Sequence, residues 1–293
     1  MVMIISILEQ GLVYGILGMG VYITYKILDF PDLTVDGSFP LGAAVTAALL
    51  TRGVNPYVTL FVAFLAGVLA GICTGLIHVK CHVRDLLSGI IMMTALWSIN
   101  LYIAGTSNVA LFSQETIFKN TFIETMIPDS ISRHATLILI IIITIICKLL
   151  LDGYLKTKSG FLLRAVGDND MLVTSLAKDQ GNVKILGLAL ANGLVSLAGC
   201  VFAQEQRVFE ISMGTGAIVI GLASVIIGTT FFKHISFMKA TTAVLIGSII
   251  YKACVAVAIK QFEPQSMKLI TAILFLAILV VSAGRKKKVN GKG

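Results

Sequence analysis

The sequence predicts an all-α, polytopic membrane protein of about nine transmembrane helices, organised as a single transmembrane domain over residues 1–293. Three observations predict it. The 293-residue chain is 57% hydrophobic. It is only 13% charged, where an ordinary globular chain carries about 25% charged residues, and its mean hydropathy is +0.94. The apolar residues also come in long runs separated by short polar breaks, unlike the period-two alternation of a membrane β-barrel. A soluble domain of this size could not cover its surface with so few charges. A secreted disulfide scaffold, a disordered regulator and a conventional soluble enzyme are excluded together.

A helix needs about 20 apolar residues to cross the hydrocarbon layer. On that rule the spans are Ile7–Leu28, Phe39–Thr51, Pro56–Val79, Leu86–Ala104, Ala135–Leu151, Val183–Gln204, Gly214–Phe232, Phe237–Ile259 and Met267–Gly284. The second is too short to cross alone, so it reads as a half-helix, a re-entrant segment or a helix extended through Asp36. The start Met1-Val2-Met3-Ile4-Ile5 lacks the basic residues of a cleavable signal, and the first span is expected to remain. The five cysteines sit in or beside apolar spans and are expected to be free thiols.

Direction follows from where Lys and Arg fall. With alternating spans and a cytoplasmic C-terminus, sixteen of the 23 basic residues lie inside, among them the tail from Arg285 to Lys292. An odd span count then puts the N-terminus outside. The net charge of +8 is spread over loops that flank spans, so it reads as an orientation and lipid-surface signal, with no nucleic acid as partner.

Two breaks resemble one another. One follows the first span as Asp29-Phe30-Pro31-Asp32-Leu33-Thr34-Val35-Asp36-Gly37-Ser38. The other follows the sixth, from Glu205 through Glu210-Ile211-Ser212-Met213-Gly214-Thr215-Gly216. Interrupted helices in corresponding places of two inverted halves are a transporter pattern, with the substrate path near the repeat interface. The default for acidic residues at span ends is a solvated helix cap. The functional reading makes Asp36, Ser38, Glu210 and Ser212 candidates for a translocation path, because free backbone groups at such breaks can meet a polar solute. Lys252, within the eighth span, either snorkels to the interface, the default, or lines a path. Gly67, Gly71 and Gly75 recur every four residues on the third span and predict close helix packing, within the chain or in a dimer. His78, Cys81 and His82 lack a fourth ligand and sit among Lys80 and Arg84, so they read as a basic turn and no metal site is expected.

The loop over 153–182 carries Arg164-Ala165-Val166-Gly167-Asp168-Asn169. Gly167 is expected to end a helical turn in the left-handed conformation, and Asp168 or Asn169 to cap a second helix running to Gly181. Leu172 and Leu176 share a face of that helix, which suits a lipid surface or a groove in a soluble partner. The outer segment over 113–134 mixes Phe118, Phe122, Met126 and Ile127 with charges and suits a short helix on the membrane face.

Gly160, then Leu163-Arg164-Ala165-Val166-Gly167-Asp168-Asn169, resembles the coupling-helix region of ABC-importer permeases of the branched-chain amino acid and ribose permease superfamily. The stretches Asp32–Ser38 and Leu186–Gly199 are similar to that family as well. The resemblance implies a permease that pairs into a homodimer in the cell membrane, binds cytoplasmic ABC ATPase subunits and receives solute from an extracytoplasmic binding protein. On that reading Arg164, Gly167, Asp168, Asn169, Leu172 and Leu176 form the ATPase-coupling segment, and an amino acid or similar metabolite is the solute. The chain has no G-x-x-x-x-G-K-[ST] phosphate loop, so no cofactor is expected on it, and ATP and Mg²⁺ belong to the partner ATPase. No catalytic residue is expected. An ion-coupled secondary transporter with inverted repeats is the competing reading.

Overall fold

The computed structural model describes residues 2–120, 129–168, 180–232, 238–259, 269 and 271–280. Among them seven helices are long and apolar enough to cross a membrane, and two more are apolar but shorter. In chain order they are α1 (Val2–Val21, continued by a π-helical turn Tyr22–Ile27), α2 (Val35–Leu50), α3 (Pro56–Val79), α4 (Asp85–Ala104), α5 (Asp129–Tyr154), α6 (Lys158–Asp168), α7 (Gln180–Gln206), α8 (Ala217–Phe231), α9 (Ala240–Ile259) and the short α10 (Thr271–Val280). Two strands, β1 (Asn108–Ala110) and β2 (Val208–Glu210), pair antiparallel, Val109 opposite Phe209. The short second span resolves to the third of its alternatives: α2 extends back through Asp36 and has 16 residues. At about 1.5 Å per residue it reaches roughly 24 Å, short of the hydrocarbon thickness.

The bundle has two unlike ends. One, called the hairpin end only for the antiparallel pairing of the sequence-remote strands β1 and β2, also carries the start of α3 and the ends of α2 and α7. The other carries the basic turn Lys80–Arg84, the end of α5 and helix α6. The long helices run between them in alternating directions, with α1 starting at the hairpin end.

Helix α7 is the hub. Most of its middle is buried, from Gly187 to Gln204. Its neighbours approach it through glycines. A Cβ on Gly67 would strike the Asn192 carbonyl, one on Gly71 the Leu188 carbonyl, and one on Gly75 the backbone of Ile185. The four-residue stripe therefore serves packing within the chain, α3 against α7, which lets two backbones close to van der Waals distance. Helix α2 docks on another side, where Gly42 lies against the Ser196 carbonyl and Gly199 against that of Phe39. The periphery is apolar in the other direction. Ile142, Ile146, Leu149 and Leu150 of α5 and Phe61, Leu65 and Leu69 of α3 are exposed, as side chains facing lipid must be.

The two loops depart from expectation. Over 113–120 the chain forms turns, with Thr116 bridged to Lys119, and no helix. The Ile117 N–H, which a helix would pair within its own ladder, is instead accepted by Gln204 Oε1 at 2.9 Å, tying the turn to the end of α7. At the other end, Gly167 does not adopt the left-handed conformation. It stays helical inside α6, and its missing side chain admits the Ile27 carbonyl of the first break. Gly181 does not end a helix but lies in the first turn of α7. Asn169, Leu172 and Leu176, and Phe122, Met126 and Ile127 of the outer segment, lie outside the described residues, as does the side chain of Asp168.

Replacing Gly71 by Leu should drive α3 off the Leu188 carbonyl and lower stability by about 3 kcal/mol. Gly153→Ala, where nothing lies within 4 Å of the added atom, should leave stability unchanged or raise it by up to about 1 kcal/mol. Thermal unfolding in detergent reads both, and equal melting points for the two variants would contradict this packing.

Candidate functional site: the meeting point of two broken helices

Helices α2 and α8 both begin inside the protein. Gly37, at the start of α2, packs against Met93 and Leu96 near the middle of α4. Gly214, just before α8, lies against the Asp36 carbonyl and the Pro40 ring. Proline at position 40 has no N–H, so the Asp36 carbonyl loses its usual helical donor and is left free to face that neighbour.

The start of α8 is closed from a distant part of the chain. Gly216, its N-cap, has φ +84°, a conformation that glycine adopts without strain. Its own segment supplies no side-chain cap. The carboxylate of Asp36 does so instead, Oδ2 accepting the Gly216 N–H at 3.0 Å and Oδ1 the Ile218 N–H at 2.8 Å. A carboxylate at a helix N-terminus is favoured both by the free donors and by the positive end of the helix dipole. The break before α8 is thus tied to the break before α2, residue for residue.

A second acid fixes the first break. Asp32 is buried, and its Oδ1 accepts the Thr34 N–H at 2.9 Å. Its Oδ2 accepts from Asn192 Nδ2 at 2.7 Å. Asn192 in turn accepts from Ser38 Oγ at 2.7 Å and donates to the Leu188 carbonyl at 3.1 Å. Thr34 and Thr74 share a hydroxyl–hydroxyl bond of 2.9 Å between the break and α3. Asn100 of α4 donates to the Gly37 carbonyl at 3.0 Å, while its Oδ1 is a buried acceptor with no partner among the described residues. These are interior groups, and solvated caps they are not.

Of the candidate path residues, Asp36 and Ser38 therefore sit together in the interior. Glu210 and Ser212 do not join them. They bond to each other at the hairpin end, where Glu210 is exposed. The second break meets the first through Gly214, Gly216 and Ile218, because β2 pins Glu210 to Asn108 on the outside of the bundle. Arg164 lies exposed on α6. It lines a cavity of about 260 Å³ with Tyr22, Lys156 and the staple Asp152, which accepts from Lys148 at 3.1 Å, Lys239 at 2.9 Å and Thr241 at 2.6 Å. Sequence reasoning missed Asn192 as a site residue, although a polar side chain in an apolar span was a visible signal. It missed Asp152 for a different reason, since Lys239 and Thr241 are remote in sequence.

An interior built on two broken helices is the architecture of a solute pathway, and the comparisons agree. The family model described as branched-chain amino acid transport system / permease component matches residues 3–282. The chain belongs to this permease family. It is 44% identical to the tyrosine transport system permease protein of Clostridioides difficile over 94% of this chain and 90% of that protein. It is 31% identical to an uncharacterized protein of Rickettsia prowazekii over 94% of this chain and 96% of that one. A protein of Methanocaldococcus jannaschii named probable branched-chain amino acid transport permease protein LivH is 27% identical over 78% of this chain and 75% of its own. No solved structure matches the chain significantly. The permease is a multi-pass membrane protein and the transport component of an amino-acid transport system.

Within this permease Asn192 joins Asp32, Ser38 and the Leu188 carbonyl in the buried interior. Asn192→Ala strands the Asp32 carboxylate and the Ser38 hydroxyl in a buried place, which should cost about 3 kcal/mol or more. Its melting point in detergent should fall well below that of Thr94→Ala, whose hydroxyl bonds only within its own exposed turn.

Proposed function

We propose that this chain is the transmembrane subunit of an ABC importer that carries an amino acid, tyrosine or a close analogue, into the cell. The observation that carries the reading is the Asp36 bridge. Two helices that begin inside the protein leave polar backbone where a solute can be met, and one carboxylate joins their starts. The similarity to a tyrosine permease over nearly the whole chain supports the choice of solute. The hairpin end then faces outside, where it receives solute from a binding protein, and the basic end faces the cytoplasm.

This chain does no chemistry of its own on that reading. ATP and Mg²⁺ are held by two cytoplasmic ATPase subunits, each gripping one coupling segment of a permease homodimer through Arg164, Gly167, Asp168, Asn169, Leu172 and Leu176. Helix α6 suits the transmission of a push. Its Gly167 rests on Ile27 at the base of the first break, so a displacement of α6 arrives at the loop that carries Asp32 and leads into Asp36 in the first turn of α2. Differential binding of the partner to two states of that loop is what would bias the permease inward or outward.

Proteoliposomes holding the permease, its ATPase and its binding protein should take up radiolabelled tyrosine only with ATP enclosed on the ATPase side. Uptake driven by an ion gradient with no ATPase present would establish the secondary-transporter reading instead. Asp36→Asn turns one acceptor toward α8 into a donor, and uptake should fall at least tenfold on the order of one lost charge-assisted bond. In parallel, Leu172→Asp together with Asp168→Ala should abolish co-purification of the ATPase while leaving the permease folded. Full retention of the ATPase would remove these residues from the coupling contact.

A further inference from the structure

Ionisable side chains rarely lie within a membrane bundle without a task. Three of them, Glu9, Glu205 and Lys252, meet near the hairpin end of the seam between α1, α7 and α9, with Gln10 and Gln206 beside them, and all five are half-buried. Lys252 does not snorkel. Its Nζ stands 3.8 Å from the centre of the Tyr14 ring and 3.5 Å from Gln10 Oε1, turned into the seam and away from lipid. It is within electrostatic reach of Glu205, and Glu205 of Glu9. Yet among the described residues none of the three is in an ion pair. The only hydrogen bond to Glu205 among them comes from Gln206 at 2.5 Å. A purely structural ion pair in so apolar a setting would close to contact, since that is how buried charges recover their lost hydration.

Directly beneath this cluster lies an aromatic layer. Tyr14 stacks on Phe39 with centroids 5.7 Å apart, Phe202 meets Tyr14 edge-on at 5.6 Å, and Phe39 and Phe202 are 5.5 Å apart. Phe39 is one helical turn from Asp36 on α2. The order along the seam is therefore charged cluster, aromatic layer, Asp36 bridge.

We propose that Lys252 and the carboxylates of Glu205 and Glu9 form an outer subsite for a zwitterionic amino acid, whose side chain engages the Tyr14–Phe39–Phe202 layer. Lys252 receives the α-carboxylate and the acidic pair receives the α-ammonium. Two carboxylates against one amine leave the ammonium side with the surplus attraction. A flat side chain lies against the three rings, where offset and edge-on contacts are favourable, and the layer must part to admit it to Asp36. Selection by the whole head group follows, because a ligand missing either charge leaves a charge of the subsite uncompensated in a poorly hydrated place. The subsite rests on the import reading above.

The test is equilibrium binding of radiolabelled L-tyrosine to the permease–ATPase complex in nanodiscs, with no binding protein present, in competition with tyramine, which lacks the carboxylate, and 3-(4-hydroxyphenyl)propionate, which lacks the amine. The wild type should prefer tyrosine over both analogues by at least about tenfold, the worth of one charge-assisted contact. Lys252→Met should erase the preference over tyramine and keep the preference over the propionate. Glu205→Gln should do the reverse, and Lys252→Arg should restore the wild-type order. That reciprocal pattern supports the subsite, since a structural role would weaken all three compounds alike. Uniform weakening, or unchanged preferences in both variants, overturns it while leaving the Asp36 reading standing. If the wild type binds none of the three compounds, the choice of solute made above fails and the subsite with it. Should Lys252→Met fail to assemble, Glu205→Gln and Lys252→Arg decide alone: an undiminished preference over the propionate in Glu205→Gln overturns the proposal.

Discussion

One carboxylate joins the two interior breaks of this permease. Helix α8 begins in the interior with its first N–H groups unpaired by its own segment, a costly arrangement away from water. Asp36 answers those donors from the first turn of α2, with bonds of 3.0 and 2.8 Å. The pairing solves two problems together. The donors gain a partner, and a charge that would be expensive in hydrocarbon gains the positive end of a helix dipole. Everything near it is arranged to hold the carboxylate there. Pro40 frees the backbone that meets Gly214, and Asn192 anchors the loop before α2 through Asp32 and Ser38.

That anchoring rests on the close packing of α7 against α2 and α3. Hydrophobic attraction between helices is weak when the surroundings are as apolar as the side chains. Close backbone approach is the substitute, and Gly67, Gly71, Gly42 and Gly199 supply it. The hydrogen bonds Ser38–Asn192 and Ser196–Ala63, both 2.7 Å, then form at the same seams. A rigid centre with polar stitching is what a moving part can be levered against. Helix α6 meets the end of the first span beside that centre, Gly167 lying against the Ile27 carbonyl.

Charge is distributed by the same economy. At the basic end Asp152 is fully engaged by Lys148, Lys239 and Thr241, and it ties α5 to the start of α9. At the hairpin end the acids and Lys252 remain apart, with an aromatic layer between them and Asp36. Closed contacts thus tie α5 to α9 at the basic end, while the charges of Glu9, Glu205 and Lys252 stay unpaired with one another at the opposite end.

Much of this was legible in the residues. Apolar run length marked Pro56–Val79 to the residue, because hydropathy is a property of each segment alone. The glycine stripe on α3 and the acidic breaks were visible for the same reason, and the coupling motif carried the family resemblance. Other features were decided only by the fold. Glu210 and Ser212 looked equivalent to Asp36 and Ser38, yet the β1–β2 pairing holds them at the rim while Gly216 and Ile218 go inward. Gly167 looked like a helix terminator, and it is instead a space for a carbonyl from the first break. The outer segment over 113–134 had the composition of a surface helix, but its part over 113–120 forms turns, with the Ile117 N–H given to Gln204. The physical reason is shared. A sequence states what each segment needs, be it lipid, a cap or a missing side chain, but the partner that meets the need can lie 180 residues away, as Asp36 does from Gly216. Only packing in three dimensions selects it.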